Sequence, residues 1–294
     1  MTFGVSFNLN GFLTMKSERF SVAKTILVPT DFSPVSLQAL DVAVGLARTN
    51  AASIYLLDVV KYPKTVVTFD AALAGEHPDD VFEELVEGVE NRLRSLVDQP
   101  KYAGVRILPA VQRETASVGE TIANQPVDLI VMGSEGASGW KEFTTGSNAE
   151  KVVRFAKAPV LVVKNAPLTP FERVVVPTDF SDTEFIRKAL RLLHLQNAYF
   201  VFLTIDTGMK LPDYDELRQR ANALIGNLNL PSADFEIVGA PTEALGIENF
   251  VRTYNPDLVV MNTHGRTGMA HFVHGSVAEK VVNHVECPVL AYLV

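Results

Sequence analysis

Val127-Asp128-Leu129-Ile130-Val131-Met132-Gly133-Ser134-Glu135-Gly136, nine further residues, then Gly146-Ser147-Asn148-Ala149-Glu150-Lys151-Val152-Val153-Arg154 is the stretch whose reading decides the fold. Val127–Met132 is a mostly apolar run and reads as a buried strand. The residues from Ser147 onward read as a helix opening. Between them, Gly133, Gly136 and Gly146 let the backbone turn and approach a ligand with no Cβ in the way. Unpaired N–H groups at a helix start offer donors and a favourable dipole to a phosphate. The spacing is neither the Walker pattern nor the dinucleotide fingerprint.

Outward from this stretch, the chain repeats itself. Val28-Pro29-Thr30-Asp31-Phe32-Ser33 recurs as Val176-Pro177-Thr178-Asp179-Phe180-Ser181. Ala149-Glu150-Lys151-Val152-Val153 recurs as Ala278-Glu279-Lys280-Val281-Val282, and Pro159-Val160-Leu161 as Pro288-Val289-Leu290. The order is kept, so the chain reads as a duplication. The expected divisions are a loose leader over 1–23, a first domain over 24–165, a linker over 166–170 rich in proline, and a second domain over 171–294. Met15 is an alternative start, because the folded pattern begins only near Lys24.

Within each copy, short Val/Ile/Leu runs alternate with helical patterns. Near-continuous apolar strands joined by helices predict an α/β fold, a doubly wound parallel sheet covered on both faces. The helix predicted over Asp79–Val97 carries Val81, Leu85, Val89, Leu93 and Leu96 as its apolar stripe, read as core. Lys61–Pro78 lengthens the first copy and reads as a surface excursion or a flap.

Composition removes several functions. The net charge of −8 argues against non-specific nucleic-acid binding, which needs clustered Lys and Arg to neutralise phosphates. No apolar stretch is long enough for a membrane span, and no basic run suggests a membrane anchor. Cys287 is the sole cysteine, so no intrachain disulfide can form; this fits a cytoplasmic setting. Cys287 itself reads as a packing residue. His264, His271, His274 and His284 cluster in sequence but match no common zinc spacing.

In a doubly wound sheet, ligands bind beyond the strand C-termini where the strand order reverses. Asp31 follows the first strand and Gly133 ends the fourth. If those strands are neighbours, a carboxylate and a glycine loop share one crevice. Asp31 and Asp179 read equally as helix caps and as acceptors for a ligand hydroxyl; Ser33 and Ser181 read as caps.

These motifs together resemble the tandem universal stress protein family, with two copies of its domain from Lys24 to Val294. The family's nucleotide signature is Gly, two residues, Gly, nine residues, Gly, then Ser or Thr. Gly133, Gly136, Gly146 and Ser147 match it; the second copy keeps Gly265, Gly275 and Ser276 but has Asn262 in place of the leading glycine. The resemblance implies five parallel strands per copy and pairing of the copies through their last strands, as a pseudo-dimer within one chain or as a homodimer. It implies ATP as ligand, with Mg or Mn as the candidate ion on its phosphates. It places the nucleoside against Asp31 and Val59, or Asp179 and Ile205, and brings in Met132 and Met261 at the ends of the fourth strands. Glu135, where the second copy has His264, sets a carboxylate in the first loop.

Three functions are then in view. One is a stress-response regulator that binds adenine nucleotide and answers to a protein partner whose identity the sequence does not give. Another is a nucleotide-free interaction module with decayed sites. The third is a slow ATPase, weakened by the lack of an arginine-finger candidate or a clear water-positioning base beyond Asp31 and Asp179.

Overall fold

The computed structural model describes residues 23–61, 78–114, 117–134, 148–164, 170–209, 213–262 and 277–292. The first copy runs β1 (Thr25–Pro29), α1 (Pro34–Asn50), β2 (Ser53–Lys61), α2 (Pro78–Val97), β3 (Arg106–Glu114), α3 (Val118–Ala123), β4 (Leu129–Gly133), α4 (Asn148–Phe155) and β5 (Val160–Val163). The second repeats the order as β6 (Arg173–Pro177), α5 (Glu184–Leu192), β7 (Tyr199–Asp206), α6 (Tyr214–Leu228), β8 (Ala233–Gly239), α7 (Glu243–Tyr254), β9 (Leu258–Asn262), α8 (Val277–His284) and β10 (Val289–Tyr292). The leader, the excursion over 62–77 and the linker residues 165–169 lie outside the described residues.

The strands form a single ten-stranded sheet in the order β3-β2-β1-β4-β5-β10-β9-β6-β7-β8. Neighbours within each copy are parallel. The copies join antiparallel through β5 and β10, with Val162 opposite Val289 and Leu161 opposite Leu290. The strand directions of the two copies are therefore opposed, and their C-terminal ends point to opposite ends of the sheet.

The central strands are buried on both faces, which is why they read as unbroken apolar runs. One apolar layer lies under α1, α2, α5 and α6; the other lies under α3, α4, α7 and α8. Both layers run through both copies, so the core is continuous across the seam. Completely buried side chains such as Leu40, Leu93, Ile186 and Phe202 contribute about 2 kcal/mol each through removal from water. Pro109 sits in β3, an outermost strand, where a missing ladder donor is tolerated.

The helix α2 buries a different stripe from the expected one. Val81 and Leu85 are 39% and 51% exposed, while Phe82, Val86, Leu93 and Leu96 are buried, with Val89 partly so. Both stripes keep helical spacing, and the true one is rotated by about one residue, roughly 100°, at the first two turns. Phe82 offers more apolar surface than Val81, and with Val86 it meets Val60 of β2.

The strand pair that defines the crevice is fastened by an acidic clasp. Asp128, just before β4, accepts from the Lys24 and Thr25 backbone N–H groups at 2.9 Å each and from the Thr25 hydroxyl at 2.8 Å. In the second copy Asp257 accepts from the Glu172 and Arg173 N–H groups at 3.1 and 2.8 Å. These bonds hold the starts of β1 and β4, or β6 and β9, side by side, as ionised acceptors do strongly.

Candidate functional site at the switch points of the sheet

In each copy the strand order reverses between the first and fourth strands, so a crevice opens past their C-terminal ends. In the first copy, β1 lies between β2 and β4. Thr30 donates its N–H to the Leu57 carbonyl at 2.8 Å, which carries the loop after β1 alongside β2. Asp31, Val59, Met132 and Gly133 are thereby brought to one end of the sheet. The equivalent Thr178-to-Leu203 bond, at 2.9 Å, does the same for Asp179 and Ile205 beside Met261. Gly136, Gly146, Ser147, Gly265, Gly275 and Ser276 lie outside the described residues.

The loop after β1 is tightly determined. Asp31 is exposed, and its Oδ1 accepts the Ser33 N–H at 3.0 Å across Phe32, which adopts φ 61°. This is a left-handed conformation that costs a bulky residue energy and persists where its surroundings fix it. Thr30 Oγ1 accepts the Phe32 N–H at 3.0 Å and meets Ser36 Oγ at 3.1 Å. Ser33 then caps α1 by accepting the Ser36 N–H at 3.3 Å, with Pro34 opening the helix. Ser33 is thus a cap, as expected, and Asp31 forms the turn before it with one carboxylate oxygen.

The second copy differs. Phe180 also has φ 61°, and Asp179 Oδ1 accepts the Ser181 N–H at 2.9 Å. Ser181, however, donates its hydroxyl to the same oxygen at 2.6 Å and caps nothing. The helix α5 opens at Glu184 after Thr183, which makes no side-chain cap. Counted from the aspartate, it opens two residues later than α1. Locally, Pro34 opens α1 whereas the Asp182 carboxylate accepts the Glu184 N–H at 3.0 Å, and the copies differ again at the end of the fourth strand. A Cβ on Gly133 would stand 3.0 Å from the backbone of Val35 in the first turn of α1. Asn262 carries such a Cβ, and the first helical turn is absent opposite it. Beside Asn262 in β10 stands Tyr292, where β5 has Val163 beside Gly133. Its hydroxyl is buried, which pushes its pKa up.

The methionines are core residues: Met132 is 5% exposed and Met261 4%, so each presents backbone to the crevice and its side chain to the layer beneath. Val59 and Ile205 are partly buried against that same layer, and Ile205 packs against Gly246 of α7.

Two residues that sequence reasoning passed over complete the first crevice. Asp58 immediately precedes Val59 in β2 and is partly buried. Burial, then the nearby charge of Asp31, push its pKa up to about 6, with Arg92 opposing them. Arg92, from α2, lays its guanidinium 3.9 Å from the centre of the Phe32 ring. The available signal was a lone acidic residue inside an apolar strand. In the second copy the matching residue is Thr204, whose hydroxyl donates to the Thr178 carbonyl at 2.7 Å. There Phe180 packs on Phe235 and Phe202 rather than under a cation.

Elsewhere the candidates are structural. Burial pushes the Cys287 thiol up to about 11, which keeps it protonated at neutral pH. His284 Nδ1 lies 2.7 Å from the Lys280 carbonyl oxygen of its own helix; the other three clustered histidines lie outside the described residues. Among the described residues, no helix is long and apolar enough to cross a membrane, and no group of three or more metal-ligating side chains occurs.

Comparison with known proteins matches this architecture. The profile of the Universal stress protein family fits the chain twice, over residues 23–164 and 170–292. Universal stress protein MJ0531 of Methanocaldococcus jannaschii is 33% identical over 144 residues, 48% of this chain and 82% of that protein. Universal stress protein YxiE of Bacillus subtilis is 33% identical over 156 residues, 47% of this chain and 97% of that protein. A solved universal stress protein from Archaeoglobus fulgidus superposes with a TM-score of 0.68 at 22% identity, covering 93% of this chain and 97% of that one; it speaks to the fold. With nearly all of its described length matched in two successive copies, the chain belongs to the universal stress protein family as a tandem pair of that family's domains.

Proposed function

We propose that the chain is a stress-response regulator that binds one adenine nucleotide in the crevice of its first copy. The observation that carries this reading is the meeting of Asp31 and Gly133 at a switch point of the sheet, where the start of α1 touches a residue with no side chain. The Asp31 carboxylate suits a ribose hydroxyl, and Val59 and Met132, at the same end of the sheet, suit the flanks of a base. Gly136, Gly146 and Ser147 would hold the phosphates, with Mg or Mn as the accompanying ion. The altered second crevice, with Asn262, a later helix start and Tyr292, supports a stoichiometry of one.

Binding to the folded state alone would stabilise it by mass action and favour whichever surface a regulatory partner reads. Among the described residues no dedicated phosphoryl-transfer group joins Asp31, and the reading includes no hydrolysis. The test is nucleotide release from freshly purified protein, followed by chromatography. About one adenine nucleotide per chain is expected, lost in Asp31→Ala and Gly146→Val and kept in Gly275→Val. Protein that carries no nucleotide and shows no thermal shift with ATP and magnesium would instead favour the nucleotide-free interaction module.

A further inference from the structure

We infer that Asp58 is a positioning residue of the first crevice, acting through Asp31 to tie nucleotide binding there to the uptake of a proton. The inference rests on the nucleotide reading above and adds a residue and a regulation to it. Asp31 follows the end of β1, and Asp58 lies in the adjacent parallel β2 just past its last pairing with β1, where the Thr30-to-Leu57 bond joins the two. Asp31 is not free to turn away, because one of its oxygens is held by the Ser33 N–H in the turn over Phe32. Asp58 follows Leu56 and precedes Val60 on the face of β2 turned towards α1 and α2, whereas Leu57 and Val59 face the other layer.

Among the described residues, few charges surround Asp58. From the loop after β1 comes Asp31; from α2 comes Arg92, whose guanidinium lies on the Phe32 ring. From β3, Arg113 is paired in bidentate fashion with Glu83 of α2, at 2.6 and 2.5 Å. The first turn of α1 carries no acidic residue, and Asp41 further along it is paired with Lys101 at 2.9 Å. Asp58 thus faces one like charge that cannot move and one cation already placed over a ring. Burial first, and then that like charge, push its pKa up to about 6.

A polyanion entering beside Asp31 adds negative charge and displaces water, and both favour the neutral form of Asp58. Binding then draws a proton onto Asp58, and by reciprocity the proton strengthens binding. Affinity for the first crevice therefore rises as pH falls through about 6. In the second crevice Thr204 stands in place of Asp58.

The experiment uses calorimetric titration with ATP and magnesium from pH 5 to 8 in an Asp179→Ala background, so that the first copy is read alone. The ligand's own phosphate titration is common to all proteins and cancels in the ratio of dissociation constants. Asp58→Asn is expected to bind roughly fivefold more tightly than its parent at pH 8 and equally at pH 5. Asp58→Thr, which borrows the residue of the other copy, should behave in the same way and guards against a defect special to asparagine. A ratio that stays constant across the range overturns the inference while leaving nucleotide binding intact. Absence of binding by the parent at every pH overturns both. A second measurement needs no ligand. Carbon-detected magnetic resonance should show the Asp58 carboxyl titrating near 6 and moving down in Asp31→Asn. A midpoint unmoved by Asp31→Asn overturns the link between the two residues.

Discussion

At Gly133 an added Cβ would stand 3.0 Å from the carbonyl carbon, the carbonyl oxygen and a methyl of Val35. Two of those atoms are helix backbone and cannot rotate aside. Gly133→Ala should therefore force α1 back from β4 and cost roughly 1–3 kcal/mol, within the usual range for overpacking. Chemical denaturation would read this as a lower midpoint at unchanged slope. A slope that also changed would mean that the native state itself had loosened. The sequence marked Gly133 as a place of close backbone approach, but its contact with Val35 was not legible. The same limit applies to Asp58, because a sequence shows an acidic residue in a strand without showing which strand end lies beside it. Ser181 copies Ser33 in sequence, yet the hydroxyl turns to Asp179 once the helix opens later. Motif identity did not fix the bonding there, since the next residue differs: Pro34 opens α1, whereas the Asp182 carboxylate accepts the Glu184 N–H at 3.0 Å.

The element that most sharply separates pattern from packing is α2. Its sequence supports two apolar stripes one residue apart, and only the sheet beneath chooses between them. Phe82 is 4% exposed and Leu85 51%. Phe82→Ala should thus cost about 3 kcal/mol, near the lower end for aromatic truncation because its cluster with Val60 and Val86 is small. Leu85→Gln should change stability by less than about 0.5 kcal/mol. Thermal melts of the two variants would decide the orientation of the helix, and a larger loss for Leu85→Gln would reverse the assignment. Strands were far more legible than this helix. Each central strand is short, β-branched and covered on both faces, so no choice of face exists to be misread. Helix starts were legible where a side chain holds the first turn, as at Ser33, Asp213 and Asp182, whose carboxylate accepts the Glu184 N–H at 3.0 Å.

Across the whole molecule, duplication was legible because three motifs recur in order, and pairing through the last strands followed from the family resemblance. The register and the reinforcement of the seam were not. Lys164 donates to the Asn283 and Val285 carbonyls at 3.1 and 2.7 Å, at the C-terminus of α8. On the other face Asn50 donates to the Leu192 carbonyl at 3.2 Å and also meets His194. Arg154 lies 4.0 Å from Glu279, which is nearly buried. With apolar layers that cross the seam as well, the copies should not unfold separately. Differential calorimetry should record one transition whose measured enthalpy equals the van't Hoff value. Two resolved transitions would mean that the seam is weaker than its contacts suggest.

The antiparallel seam between β5 and β10 has a further consequence for geometry. Because the two copies run head to tail, their crevice mouths look out from opposite rims of the slab. A group bound at one mouth therefore meets a rim formed by the strand ends of that copy alone. The strands of the slab, rather than any shared loop, then set how far apart the two mouths stand.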